Sequence, residues 1–439
     1  GGTSMADLKA MKRCADIVCS DPDKKVIVVS ATSGTTNQLV SLFEPIPEGK
    51  KVEILDQIRE KHFTICSGLE RQAEPQKKIE EILESLERLV LDQPVMNLQL
   101  KDEILSKGEL LSSVIFNSLL NECNCGEFQW LDAREIIKTD QAFSRAEPDV
   151  EAIGIKAREK MIPKLSNIRF VTQGFIGSTP DGITTTLGRG GSDYSAALFA
   201  ESIHADVLEI WTDVTAVYTT DPRVVAEAKP ITEISFDEAA ELSVFGAKVL
   251  HPATIVPAVR KNIRVYVGSS IEPHKPGTWI MRETRSKPVI RAISLRRNQT
   301  LVTVHSPDML HRHGFLARLF TVLSSHQISV DLVTTSEVSV SMTVDTDVQS
   351  SERDALNDDV LEELRSFSQV EVEKDLSLIA LIGNNLHATS GLSGPVFSLL
   401  EDVNIRLICH GASSHNLCFL VGQENAEKVV QLLHNRFIK

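Results

Sequence analysis

The chain has 439 residues, 42% of them hydrophobic and 24% charged, the composition of a globular protein of two to four domains. A formal charge of −14 argues against nucleic acid or an anionic membrane as partner, and no apolar run reaches the ~20 residues that cross a bilayer. Gly1-Gly-Thr-Ser-Met-Ala-Asp7 lacks a signal peptide's basic start and apolar middle. Seven cysteines without a Cys-x-x-Cys motif read as reduced thiols, so the expected setting is cytosolic. Twelve histidines, His311 and His313 among them, show no metal-ligand spacing.

In chain order, the pattern predicts a helix over Asp7–Ser20, a strand over Val26–Ser30, and helices over Glu74–Asp92, Ser106–Glu122 and Asp149–Leu165. A strand at Ile168–Thr172, a helix at Tyr194–Ile203, a strand at Val207–Thr212, a helix at Phe236–Phe245 and a strand at Ile263–Val267 follow. The strands are short β-branched runs of the kind buried on both faces of a parallel sheet, so the first 270 residues read as an α/β layer architecture. Ile271–Pro288, rich in proline, glycine and charge, reads as a connection between domains.

Beyond it, residues 301–344 align on residues 378–421 without a gap: Gly314 falls on Gly391, Phe320 on Phe397 and Ser336 on Ser413. This is an internal duplication. Each copy reads as strand, glycine, helix, strand, turn, strand, with a further helix at Asp354–Ser366 or Asn425–Arg436. A last strand such as Val370–Glu373 would complete a ferredoxin-like βαββαβ unit.

The run Thr184–Leu198 places Arg189 and Asp193 in a glycine-rich turn that opens a helix. Gly188, Gly190 and Gly191 can bring backbone N–H groups to an anion, Arg189 offers a planar fork to a carboxylate or phosphate, and Ser192 or Asp193 can cap the helix. A plain capped turn explains the same residues. Val217–Arg223 offers Tyr218 as an aromatic face and Arg223 as a cation, a set that would suit a purine nucleotide, unless Tyr218 is merely core. Phe245–Pro252 carries Lys248 after a glycine, where its ammonium can reach phosphate or stay solvated. Ser106-Lys-Gly-Glu109 can be a capping box or a ligand site.

Taken in order, Gly1–Ser4, Val29–Asn37, Ser106–Glu109, Thr172–Phe175, Thr184–Asp193, Trp211–Val214, Tyr218–Arg223 and Phe245–Pro252, followed by a duplicated module, resemble the aspartate kinases of the amino-acid kinase family, in their monofunctional lysine-sensitive form. The resemblance implies an α/β/α sandwich with a mostly parallel sheet over residues 1–285, then two ferredoxin-like ACT modules over 286–439. It implies phosphorylation of L-aspartate by ATP with Mg²⁺, and feedback by L-lysine. It also implies a homodimer, or a dimer of dimers, joined through the ACT modules. Arg189 would hold the substrate α-carboxylate, Glu109 its ammonium, and Ser30, Thr36 and Ser192 would complete the substrate site. Asp193 would orient cationic groups and Lys248 would act on the phosphates. Gly1, Gly2, Ser4, Thr212, Asp213, Tyr218, Arg223 and Val249 would join Lys248 around the nucleotide. The lysine site would comprise Met309, Gly314, Phe315, Leu316, Ser329, Val330, Asp331, Thr335, Ser336 and Glu337.

The chemistry suits those residues. A carboxylate nucleophile with a pKa near 3.9 is ionised at neutral pH, so cations and backbone dipoles suffice and no general base is needed. The family pattern also places a strand carrying Lys-Phe before Gly-Gly-Thr-Ser. The sequence opens at Gly1, and the expectation is that it is an excerpt of a longer protein. The competing readings are a non-catalytic amino-acid sensor with a degenerate kinase domain, and a kinase of another carboxylate.

Overall fold

The computed structural model describes residues 1–92, 97–188, 190–246, 252–310, 313–344 and 356–438, which divide into two compact units. One comprises Gly1–Val217, Ile231–Phe236 and Lys248–Glu283; the other comprises Tyr218–Pro230, Asp237–Ala247 and Thr284–Lys439.

The elements of the first part of the chain are α1 (Leu8–Cys19), β1 (Val26–Val29), α2 (Thr35–Ser41), α3 (Glu48–Cys66), α4 (Ala73–Leu91), α5 (Leu98–Glu122), β2 (Phe128–Leu131), α6 (Val150–Lys160), β3 (Arg169–Gln173), β4 (Ile176–Ser178), β5 (Thr184–Thr186), α7 (Gly191–Ser202) and β6 (Val207–Thr212). They continue as β7 (Glu233–Ser235), α8 (Phe236–Val244), α9 (Pro252–Lys261), β8 (Arg264–Ser269) and β9 (Thr278–Met281). Among the described residues three sheets run through the first unit: a parallel one of order β1-β3-β2, the antiparallel pair β4-β5, and a mixed one of order β6-β8-β9-β7 with parallel β6–β8 and β7–β9 pairs. β1 and β6 are edges of their sheets, and residues of both line one cleft of about 560 Å³.

Several predicted elements shift. Ser106-x-x-Glu109 is not a capping box: α5 starts eight residues earlier, where Asn97 Oδ1 accepts from Leu100 N at 2.8 Å, so Glu109 lies mid-helix. α7 begins at Gly191 behind Gly190 with no side-chain cap, so Ser192 and Asp193 sit inside its first turn rather than before it. The expected connection over Ile271–Pro288 contains β9, which pairs with both β7 and β8. α3 was missed, although Leu55, Ile58, His62 and Ile65 are buried at helical spacing.

The second unit contains one antiparallel sheet. Its strands are β10 (Ile290–His305), β11 (Val330–Thr335), β12 (Ser339–Val344), β13 (Gln369–Gly383), β14 (Ile405–His410) and β15 (Asn416–Gly422), in the order β11-β12-β10-β13-β15-β14. Its helices are α8 from Asp237 onward, α10 (Phe315–Ser325), α11 (Asp358–Arg365), α12 (Ser393–Ser398) and α13 (Ala426–Phe437). The expected last strand of the first copy is present: Val370 and Val372 pair with Val304 and Val302. The second copy takes its last strand from before the first, because Leu295 pairs with Ile379 and Ile293 with Leu381. The two long strands β10 and β13 thus each serve both modules, which the gap-free repeat did not reveal. Separate apolar cores fill the modules, around Leu319, Met342 and Val360 in one and Val396, Phe419 and Val430 in the other.

α8 is held within this unit by a buried carboxylate. Glu238, fully buried, accepts from Arg291 Nε at 2.8 Å and Asn384 Nδ2 at 2.7 Å. Removing one side of a buried ion pair strands the other charge in low dielectric. Glu238→Ala should therefore destabilise the protein by about 3–5 kcal/mol, read as a lowered denaturant midpoint.

Candidate active site

The glycine at 108 explains the spacing of Ser106–Glu109. A Cβ there would lie 2.9 Å from the Ala31 Cβ, so only glycine lets α5 approach the loop that leaves β1. The approach brings Glu109 Oε1 to 3.3 Å from Ala31 N and Ser112 Oγ to 2.7 Å from Ser30 O. Glu109 is 4% exposed, and its second oxygen, Oε2, is buried with no hydrogen-bond partner among the described residues. Burial pushes the Glu109 carboxyl up to about 8, the Ala31 N–H only partly opposing it. A buried carboxyl with an unused acceptor suits a cationic ligand, and an amino group is the smallest that fits the description.

The rest of that loop is braced from α3. Neutral His62 donates from Nδ1 to Ile58 O at 2.7 Å, leaving Nε2 to accept from Thr32 Oγ1 at 3.2 Å. Thr35 Oγ1 lies 2.6 Å from the Thr32 hydroxyl. Burial, reinforced by Lys61 nearby, lowers the His62 pKa to about 4, so this chain keeps one proton arrangement at neutral pH. Thr36, half-buried, stands in the first turn of α2 beside it.

A second constellation joins α7 and β5. A Cβ on Gly174 would lie 2.6 Å from the Ser192 Cα, so the Thr172–Phe175 turn needs glycine to seat α7. Phe175 N then donates to Ser195 Oγ at 2.9 Å. Asp102, fully buried on α5, accepts from Ser144 N at 2.9 Å, Ser144 Oγ at 3.3 Å, and Thr186 N and Oγ1 at 2.8 Å each. This carboxylate fixes the end of β5 immediately before Leu187 and Gly188. Sequence reasoning passed over Asp102, His62 and Ser270, none of which sits in a motif.

Ser270 links two expected nucleotide segments. Its hydroxyl donates to Thr212 O at 3.0 Å and lies 2.7 Å from Ser4 Oγ, so the short 3-10 turn Gly2–Met5 and the Thr212–Asp213 end of β6 are brought together. Thr212 Oγ1 donates to Asp213 Oδ1 at 3.1 Å. Gly1, Ser4, Ser30, Ser192 and Asp193 all line the cleft between β1 and β6. Tyr218 and Arg223 fall in the other compact unit, where Arg223 grips Asp221 through Nε at 3.0 Å and Nη2 at 2.7 Å. Arg189, Lys248 and Val249, as well as His311, lie outside the described residues.

One expectation about the thiols is overturned. Cys19 and Cys125, 106 residues apart, form a disulfide joining the end of α1 to the turn after α5, because the fold brings their Cα atoms to 5.4 Å. The near-neighbour pair Cys123 and Cys125 is not bonded, and Cys123 is an exposed free thiol.

The expected effector residues gather in the first repeat. Met309, Phe315 and Val330 pack against one apolar core. Gly314, at φ 91°, opens α10, with Phe315 and Leu316 in its first turn. Ser329 precedes β11, which carries Val330, Asp331 and Thr335; Ser336 and Glu337 form the turn into β12, where Ser336 Oγ accepts from Ser339 N at 3.1 Å. Asp331 is already engaged: its Oδ2 lies 2.8 Å from Arg296 Nη1. Among the described residues no cluster of three or more His, Cys, Asp or Glu is placed to hold a metal ion, and no helix is long and apolar enough to cross a membrane.

The sequence matches the Amino acid kinase family over residues 1–269 and the ACT domain over 302–355 and 379–437. It is 51% identical over 441 residues to the lysine-sensitive aspartokinase 3 of Escherichia coli (strain K12), covering 100% of this chain and 98% of that protein. The crystal structure of E. coli aspartokinase III in complex with aspartate and ADP, in its R-state, superimposes with a TM-score of 0.90 at 50% identity, over 100% of this chain and 98% of that one. The T-state structure of the same enzyme with lysine and aspartate gives 0.87 over the same coverage. With the whole chain spanned at this identity, and with an amino acid kinase domain followed by two ACT matches, this chain belongs to the aspartokinase family.

Proposed function

We propose that this chain transfers the γ-phosphoryl group of MgATP to the side-chain carboxylate of L-aspartate, giving 4-phospho-L-aspartate and ADP, under feedback inhibition by L-lysine. The observation that carries the substrate class is Glu109, whose buried Oε2 has no hydrogen-bond partner among the described residues and can take the ammonium of an amino acid. The relatives' aspartate complexes support the specific amino acid.

In this mechanism Glu109 holds the substrate ammonium and Arg189 its α-carboxylate. Ser30, Thr36 and Ser192 aim the side-chain carboxylate, whose oxygen attacks the γ-phosphorus while the bond to the ADP oxygen breaks. No proton moves, because the nucleophile arrives ionised. Lys248 stabilises charge on the phosphates, and Asp193 orients the cationic groups. Gly1, Gly2, Ser4, Thr212, Asp213 and Val249 surround the nucleotide. Mg²⁺, bound with the nucleotide, would offset negative charge on its phosphates. Residues 1–285 serve catalysis and 286–439 serve regulation, with the ACT modules joining two copies of the chain.

Hydroxylamine should trap an acyl phosphate from aspartate and MgATP but not from glutamate. Absence of the hydroxamate would end this reading and favour a non-catalytic sensor. Arg189→Ala should lower kcat/KM for aspartate by about 10²–10³, the cost of losing a charge-assisted bidentate contact, with ATP binding retained.

A further inference from the structure

Arg296 and Asp331 come from different parts of the six-stranded sheet. Arg296 ends the half of β10 that completes the second module, immediately before the register shift between Arg296 and Gln299. Asp331 lies on β11, the outer strand of the first module. Their contact, Nη1 to Oδ2 at 2.8 Å, therefore ties one module to the other, and both side chains are mostly shielded, at 20% and 24% exposure.

We propose that Arg296 is a tethered cation that competes with the side-chain ammonium of the effector for Asp331, and thereby sets the lysine concentration at which feedback acts. This rests on the assignment of Asp331 to the lysine site. A carboxylate oxygen engaged at 2.8 Å by one cation must exchange it, or share it, when a second arrives. The effector then gains only the difference between two ion pairs, not the whole of one. Because Arg296 belongs to the same chain, its local concentration at Asp331 is fixed and high, and it acts as a constant intramolecular competitor.

The full chain tests this through direct lysine binding by titration calorimetry. Arg296→Met should bind lysine about 3–10-fold more tightly, the range expected for removing a partly shielded pair, and Arg296→Lys, which keeps a cation, should stay near the parent. Aspartate kinase turnover without lysine should be unchanged in both. In an Asp331→Asn background, which should itself weaken lysine binding, Arg296→Met should make no further difference. Unchanged or weaker binding in Arg296→Met, with Asp331→Asn still impaired, overturns the competition while leaving the effector site in place. If Asp331→Asn binds lysine like the parent, the site assignment is wrong and the proposal falls with it.

Discussion

Glu109→Gln should raise the KM for aspartate by about 100-fold, the loss expected when one partner of a buried charge-assisted pair becomes neutral, with ATP affinity unchanged. The amide keeps the size of the side chain and one acceptor oxygen, so the loss reports charge rather than shape. Glu109 also predicts a pH effect with a definite sign. Its carboxyl titrates at about 8 because burial disfavours the ionised form, so below that pH the protein alone holds it neutral. An incoming ammonium favours the carboxylate. Aspartate binding at pH 7 should then release close to one proton, and affinity should weaken as pH falls below about 8. Calorimetry in buffers of different ionisation enthalpy measures that proton directly. Release unchanged in Glu109→Gln would remove Glu109 from the site.

The same shift governs stability in the opposite direction. An acid whose folded pKa is raised contributes stability that is fully present below its unfolded value, here 4.5, and lost as pH rises through about 8. Glu109→Gln abolishes this loss. The variant should gain stability over the parent progressively between pH 5 and 8, while losing substrate. A site residue that destabilises the protein without its ligand is what a preorganised binding group looks like.

The contrast between Glu109 and its neighbours shows which parts of the protein were legible in the sequence. β1 and β6 are apolar runs whose pattern is local, and both lie where the sequence places them. The duplication is local too, since it compares the chain with itself. What escaped depends on residues far apart. The α5 start was masked by a capping signal at Ser106–Glu109 that tertiary packing overrides, and the unpartnered Glu109 oxygen exists only because Gly108 meets a loop 78 residues away. The Cys19–Cys125 bond spans 106 residues and the Ser4–Ser270 contact 266. Neither leaves a trace in spacing. The exchange of last strands between the modules likewise follows from β10 and β13 being long enough to cross both, a property that repeat alignment conceals.

Asp102 offers the sharpest test of whether such long-range contacts matter for catalysis. Its carboxylate receives only donors, two from Ser144 and two from Thr186, the latter 84 residues away, and burial raises its pKa despite them. Asp102→Asn replaces one acceptor oxygen by an NH2 group that faces other donors, so about two hydrogen bonds are lost and their donors are left buried. The expected cost is about 2–4 kcal/mol of stability. If the contact serves the reaction, the loosened end of β5 also disturbs the substrate site, and the KM for aspartate should rise about 10-fold while the KM for ATP holds. Thr186→Val, which replaces one hydroxyl donor by a methyl group and keeps the backbone donor, should reproduce a smaller rise in the same constant with a smaller loss of stability. A stability loss in Asp102→Asn with both KM values unchanged would make Asp102 a structural residue only, and would leave the substrate turn to be fixed by Gly174, Ser192 and the start of α7.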